Sequence, residues 1–159
     1  MKMRDHVWIM QNAYEMSRDI FYHKEVPIAA IVTDSKGTEI SRATNSKEGL
    51  LDASGHAEIN ALKKAAQSLK TWRLNDCHLY VTLEPCPMCL SAISQFRVSK
   101  LFFSAYDSKG GAISLGYHLH KDPRLNHKFQ VMGGILQYQS SKLLSNYFRE
   151  KRGQHSLLE

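Results

Sequence analysis

Two short clusters, His56-Ala57-Glu58 and Pro85-Cys86-Pro87-Met88-Cys89, each stand where another kind of local structure gives way to a helical pattern. Ser54-Gly55 precedes the first cluster. Ile59, Leu62, Ala66 and Leu69 then continue it as an apolar stripe, with Lys63 and Lys64 on the opposite face. Leu79 to Leu83 reads as a buried strand running into the second cluster. Pro87 is tolerated there at the first helical position, because its missing N–H would have no intrahelical partner anyway. A chain punctuated in this way alternates strands with helices, and both clusters fall at helix starts.

The remaining pattern agrees with that alternation. Met3, Val7, Met10, Tyr14, Ser17 and Phe21 recur at spacings of three and four, which predicts an amphipathic first helix ending before Pro27. Ile28 to Asp34 and Glu39 to Thr44 predict a hairpin around Ser35-Lys36-Gly37. Leu101 to Ala105 and Phe129 to Met132 predict two further strands, separated by a polar segment with Gly110, Gly111, Gly116 and Pro123 that reads as a functional loop. Leu143, Leu144, Tyr147, Phe148 and Lys151 fit a closing helix. With no internal repeat or linker in 159 residues, one domain over 1–157 is expected, with 158–159 read as a possible vector-derived tail.

Composition narrows the class. At 43% hydrophobic and 23% charged residues, the chain is neither disordered nor collagen-like. A formal charge of +6 admits a nucleic-acid partner, and equally a merely solvated basic face. Three cysteines cannot build a disulfide framework, which points to a reducing compartment, with the cytoplasm as the expected location. No secretory signal is visible. Val26 to Thr33 is too short to span a bilayer and Leu79 to Phe96 is interrupted by Glu84, Pro85 and Pro87, so no membrane helix is expected.

His56, Cys86 and Cys89 offer one imidazole and two thiols. Structural zinc normally takes four protein ligands, whereas three leave a position open for water, so this set predicts a catalytic zinc. Glu58 falls on a different side of the helix from His56 and is free to move protons. Taken alone, Cys-x-x-Cys also describes a redox pair or half of a structural zinc site. Cys77 has no partner at ligand spacing and reads as a small, partly buried residue. His118, His120 and His127 read as surface polar residues, with no second metal.

His-x-Glu followed by Pro-Cys-x-x-Cys is the signature of zinc deaminases. The chain resembles the cytidine and deoxycytidylate deaminase superfamily and, within it, the bacterial tRNA-specific adenosine deaminases, from the first helix to about Arg152. The resemblance is carried by Glu25-Val26-Pro27, Asn45, His56-Ala57-Glu58, Leu79 to Cys86 with Met88-Cys89, Asp107 with Lys109, Asn126-His127, Gly133 to Leu136 and Phe148-Arg149. It departs at Ala29 where glycine is usual, at Ala53-Ser54-Gly55 where Pro-Thr-Ala is usual, at Tyr106 where arginine is common and at Gly110 where threonine is common. None of these removes a ligand.

The resemblance implies a three-layer α/β/α cytidine-deaminase-like fold with a five-stranded mixed sheet, and one zinc per chain held by His56, Cys86 and Cys89. Glu58 would be the catalytic proton shuttle. Asn45 would contact the target base, with Pro27, Leu83, Asp107 and Phe148 as further substrate-binding candidates. The implied activity is hydrolytic deamination of the wobble adenosine to inosine in a tRNA, with an arginine tRNA expected. Lys109, Lys121, Arg124, Lys128, Arg149, Lys151 and Arg152 are candidates for the RNA backbone of the anticodon loop. A homodimer is implied, and neither DNA nor membrane is an expected partner. The core motif alone also fits a guanine or other free-base or nucleoside deaminase. A noncatalytic RNA-binding module with structural zinc is the remaining alternative, against which stand Glu58 and a set of only three ligands.

Overall fold

Asp34 makes the first turn. Its Oδ1 accepts hydrogen bonds from the backbone N–H groups of Lys36 (2.9 Å) and Thr38 (2.8 Å). Gly37 supplies a φ of 93° that side-chain-bearing residues rarely adopt. This computed structural model, which describes residues 1–155, thus folds β1 (Ala29–Asp34) back on β2 (Glu39–Thr44) as the expected antiparallel hairpin. The possible tail at 158–159 lies outside the described residues.

β1 also pairs antiparallel with β3 (Cys77–Leu83). β3 pairs parallel with β4 (Lys100–Ala105), and β4 in turn with β5 (Gln130–Gly133), so the mixed sheet has the order β2-β1-β3-β4-β5. Among the described residues the α-helices are α1 (Met3–Asp19), α2 (Lys47–Leu50), α3 (Ala57–Leu69), α4 (Pro87–Gln95) and α5 (Gln137–His155), with a short 3-10 turn at Leu119–Lys121.

Strand alternation decides the layers. Leu79, Val81, Leu101 and Phe103 point to one face and pack with Ala61, Leu62 and Ala65 of α3 and Leu90 and Ile93 of α4. Tyr80 and Phe102 point to the other face and meet Ile9, Met10 and Ala13 of α1. There α5 closes over β4, where the Ser104 hydroxyl donates to Ser140 Oγ at 2.8 Å. The result is the expected three-layer α/β/α fold with a five-stranded mixed sheet. Among the described residues no helix is long and apolar enough to cross a membrane.

Several local expectations shift. α1 buries Ile9, Met10, Ala13 and Ser17 and leaves Met3 and Val7 exposed. Two stripes at helical spacing run along α1 and share Met10 and Ser17, and the one through Ile9 and Ala13 faces the sheet. In α3 the expected Ile59 and Leu62 are buried together with Ala57, Glu58, Ala61 and Ala65, while Leu69 is exposed beside the left-handed cap at Lys70. Cys77 opens β3 rather than preceding it, and is buried. His127 and His120 are half-buried rather than surface residues: the His127 Nε2 bonds the Val98 carbonyl at 2.7 Å, and both rings flank buried Phe129.

Candidate active site

His56 is the N-cap of α3, and Cys86 is the N-cap of α4 with Pro87 next, so two helix starts present the donors. The His56 Nδ1 lies 3.4 Å from Cys89 Sγ and 3.7 Å from Cys86 Sγ. All three donor atoms fall within 4.8 Å of one another. Tetrahedral zinc, with bonds of about 2.1 Å to nitrogen and about 2.3 Å to sulfur, holds such atoms about 3.6 Å apart. The donor set therefore fits zinc in chemistry and in spacing.

The three donor groups share protons in a way a bound cation would replace. The Cys86 thiol is held down to about 4, chiefly by the hydrogen bond that the Cys89 S–H donates to it, with the His56 imidazole adding to the effect. That same bond, together with burial, pushes Cys89 up. His56 is raised, chiefly by its hydrogen bond to Cys86. Glu58 is buried beside Cys89, and burial pushes its carboxyl up to about 7.

Asn45 follows β2 and is anchored on both sides. Its backbone N–H donates to the Ile28 carbonyl (3.1 Å), and its Oδ1 accepts from the Ala57 N–H (3.0 Å) at the start of α3. With the oxygen committed, the side chain's NH2 is the group it can offer to a base. Pro27 is buried next to Ile28, and half-buried Leu83 ends β3 opposite Ala105. The Asp107 Oδ1 accepts from the N–H groups of Lys109 and Gly110, each at 3.0 Å. A Cβ at Gly110 would sit 2.8 Å from Asp107 Oδ2, so a larger residue there would require the Asp107 carboxylate to shift.

The seven candidate cations divide. Lys109, Arg149, Lys151 and Arg152 line one groove of about 550 Å³ with Ser145 and Phe148, whose ring is 47% exposed. Lys121 and Arg124 line a separate cleft of about 580 Å³ over residues 116–124. There Arg124 grips Asp122 through two hydrogen bonds (3.0 and 2.7 Å), and Lys128 donates to the Leu125 carbonyl. Charge counting groups them together. Only where the 106–129 connection runs separates them.

Two features escape sequence reasoning. Asn60 pins the loop before His56 by donating from Nδ2 to the Thr44 carbonyl (3.0 Å) and Ser46 Oγ (2.9 Å). Glu84, 2% exposed at the exit of β3, gathers the 106–115 loop with its carboxylate. A lone carboxylate ending an apolar strand was the available signal.

Comparison with known proteins follows the same lines. The family model of the MafB19-like deaminases matches residues 4–152. The tRNA-specific adenosine deaminase of Bacillus subtilis (strain 168) is 39% identical over 143 residues, covering 90% of this chain and 88% of that protein. That of Agrobacterium fabrum is 37% identical over 150 residues, covering 94% and 98%. A solved structure from work on A-to-I editing by tRNA:A34 deaminases at the wobble position superposes with a TM-score of 0.79 at 36% identity, covering 84% of this chain and 96% of the other. A guanine deaminase from Nitrosomonas europaea gives 0.71 at 26% identity, covering 87% and 81%.

Proposed function

This chain belongs to the MafB19-like deaminase family and stands among the tRNA-specific adenosine deaminases, and we propose that His56, Cys86, Cys89 and Glu58 carry its reaction, with an arginine tRNA as substrate. The chemistry is hydrolytic. Water adds at C6 of the wobble adenine, the exocyclic amine leaves as ammonia, and adenosine becomes inosine. His56, Cys86 and Cys89 would hold one zinc per chain, which when bound would lower the pKa of water to about 7 and so supply a nucleophile at neutral pH. Glu58 receives the proton the water gives up and places it on ring nitrogen N1; it then takes the proton of the new C6 hydroxyl and delivers it to the exocyclic amine, so that the carbonyl forms as the C6–N bond breaks and ammonia leaves.

The other residues select and hold the RNA. Asn45 donates from its amide to the base edge, while Pro27, Leu83, Asp107 and Phe148 border the base and its neighbours. An anticodon loop suits this pocket because its bases are already partly unstacked and cost less to extrude than bases in a duplex. Lys109, Arg149, Lys151 and Arg152 meet phosphates near the target. Lys121 and Lys128 meet the tRNA farther away, and Arg124, already held by Asp122, contributes least. We place the enzyme in the cytoplasm as a homodimer. Leu50 and Leu51, 70% and 93% exposed at the C-terminal end of α2 on the way to His56, supply apolar surface for such a contact.

The observation that carries this reading is the convergence of His56, Cys86 and Cys89 with buried Glu58 beside them. Its test uses zinc-loaded protein with an arginine tRNA bearing a wobble adenosine, and free guanine in parallel, with products read by mass spectrometry. Inosine at that one position, absent with Glu58→Ala, is expected. Xanthine without inosine would move the chain to the free-base deaminases, and neither product would overturn the enzymatic reading.

A further inference from the structure

We infer that Glu84 is a positioning residue for the RNA side of this reaction: its carboxylate fixes the 106–115 loop to the metal-ligand turn, and thereby sets where the phosphate-binding wall stands relative to the reacting base. This rests on the function proposed above.

Glu84 lies two residues before Cys86 and is almost wholly buried. Both of its oxygens are taken by the loop. Oε2 accepts from the Asp107 N–H (2.9 Å) and the Ser114 hydroxyl (2.6 Å), and Oε1 accepts from the Ser114 N–H (2.7 Å). Backbone bonds run alongside: the Glu84 N–H donates to the Ala105 carbonyl and the Ala112 N–H to the Pro85 carbonyl, each at 2.8 Å. The carboxyl group also fills the space beside Gly111, where a Cβ would overlap it. One side chain thus holds both ends of the loop, at Asp107 and Ser114.

Between those anchors stands Lys109, which faces Phe148, Arg149 and Arg152 across the basic groove. Asp107 stiffens the same stretch by accepting from the Lys109 and Gly110 amides. The metal ligands and one wall of the groove are therefore linked through Glu84. All three of its partners are donors, so a carboxylate satisfies them where an amide cannot: a glutamine would turn its NH2 toward one of them. Among the described residues no salt bridge involves Glu84. The buried carboxyl group has these three hydrogen bonds as its partners, so removing any of them falls directly on the loop.

A merely structural staple and a positioning residue separate in kinetics. Loss of a staple lowers the fraction of active, metal-bearing enzyme, which lowers apparent kcat and leaves KM alone. A displaced wall weakens ground-state and transition-state binding together and raises KM.

The test compares full-length, zinc-loaded wild type, Glu84→Gln and Ser114→Ala on an anticodon stem-loop with a wobble adenosine, with zinc content, stem-loop Kd and amide exchange over 106–115 read alongside. Glu84→Gln is expected to keep one zinc per chain, to raise KM and Kd roughly tenfold with kcat changed less than about twofold, and to speed exchange at Asp107 and Ser114. Ser114→Ala, which removes a single bond at an exposed residue, moves KM in the same direction by about threefold. A fall in kcat at unchanged KM, or loss of zinc, reduces Glu84 to a staple and overturns the inference. Unchanged KM with unchanged exchange overturns it as well. If wild type turns over no RNA, the proposed function fails, and the Kd and exchange arms still decide whether Glu84 places the wall.

Discussion

β3 leads from a group of imidazoles at its start to the single imidazole of His56 past its end, and among the described residues it is the second end whose donors lie close enough to share a metal ion. At its start, His78 lies buried with its Nδ1 unpartnered. His6 stacks on Phe102 (4.3 Å) and pairs its Nδ1 with the Tyr80 hydroxyl (2.8 Å). His6, His120 and Lys100 line a cavity of about 460 Å³. Past its far end, His56 meets two sulfurs. Among the described residues, His56, Cys86 and Cys89 form the group of His, Cys, Asp or Glu donors close enough to share an ion. At the first end burial is the largest cause lowering His6, His78 and His120 and so disfavours their charged forms, whereas the hydrogen bond to Cys86 raises His56. A cavity lined by two histidines is thus less of a metal site than one histidine with two sulfurs within 4.8 Å of one another. What matters is that the donors converge on one point with an anion among them.

The largest effects should fall on the convergent end. Cys86→Ala is expected to abolish zinc binding and turnover together, while His6→Phe leaves zinc content at one per chain. Zinc retained by Cys86→Ala, or lost from His6→Phe, would break the contrast. Glu58→Ala should keep the metal and lose about 10²–10⁴-fold in kcat, the range of a general acid–base contribution. Metal analysis beside single-turnover rates separates the two variants.

A smaller effect tests how tightly the convergent end is closed. Gly111→Ala places a Cβ against the Glu84 carboxyl. Overpacking of this kind costs about 1–3 kcal/mol, so the variant should unfold at lower urea, with KM raised as the loop is pushed outward. An alanine tolerated without any change in midpoint would show that the loop yields there.

The sequence made some of this legible, for reasons of range. His56, Glu58, Cys86 and Cys89 could be read because their geometry is local: each motif spans one helix start, and a helix start fixes side-chain directions within a turn. The sheet was legible because β1, β3 and β4 are apolar runs bounded by turn residues. By contrast, Glu84 meets partners 23 and 30 positions away with no periodicity to announce them. The inward turn of His127 depends on where the 106–129 connection lands, as does the parting of Lys121 and Arg124 from Lys109. The α1 face was misread because two interleaved stripes share Met10 and Ser17, and local spacing does not choose between them.

The smallest effect concerns the unconvergent end and pH. Burial is the main cause lowering His78, with Lys100, His6 and the N-terminus adding to it and Asp34 opposing. In the unfolded chain the same imidazole titrates near its ordinary value of about 6.5. Below that pH, and above the folded value, the unfolded chain binds a proton that the native chain refuses. Stability therefore rises with pH through this window: it is fully present above about 6.5 and erodes as pH falls below it, by at most about 1.4 kcal/mol per pH unit for one histidine. The metal ligands also lose stability in acid, so the test is a difference: urea midpoints of wild type and His78→Phe between neutral and mildly acid pH. The variant, which keeps an aromatic ring against Phe102 but has no proton to take up, should show the shallower slope. Parallel slopes would mean that His78 already binds its proton in the folded state.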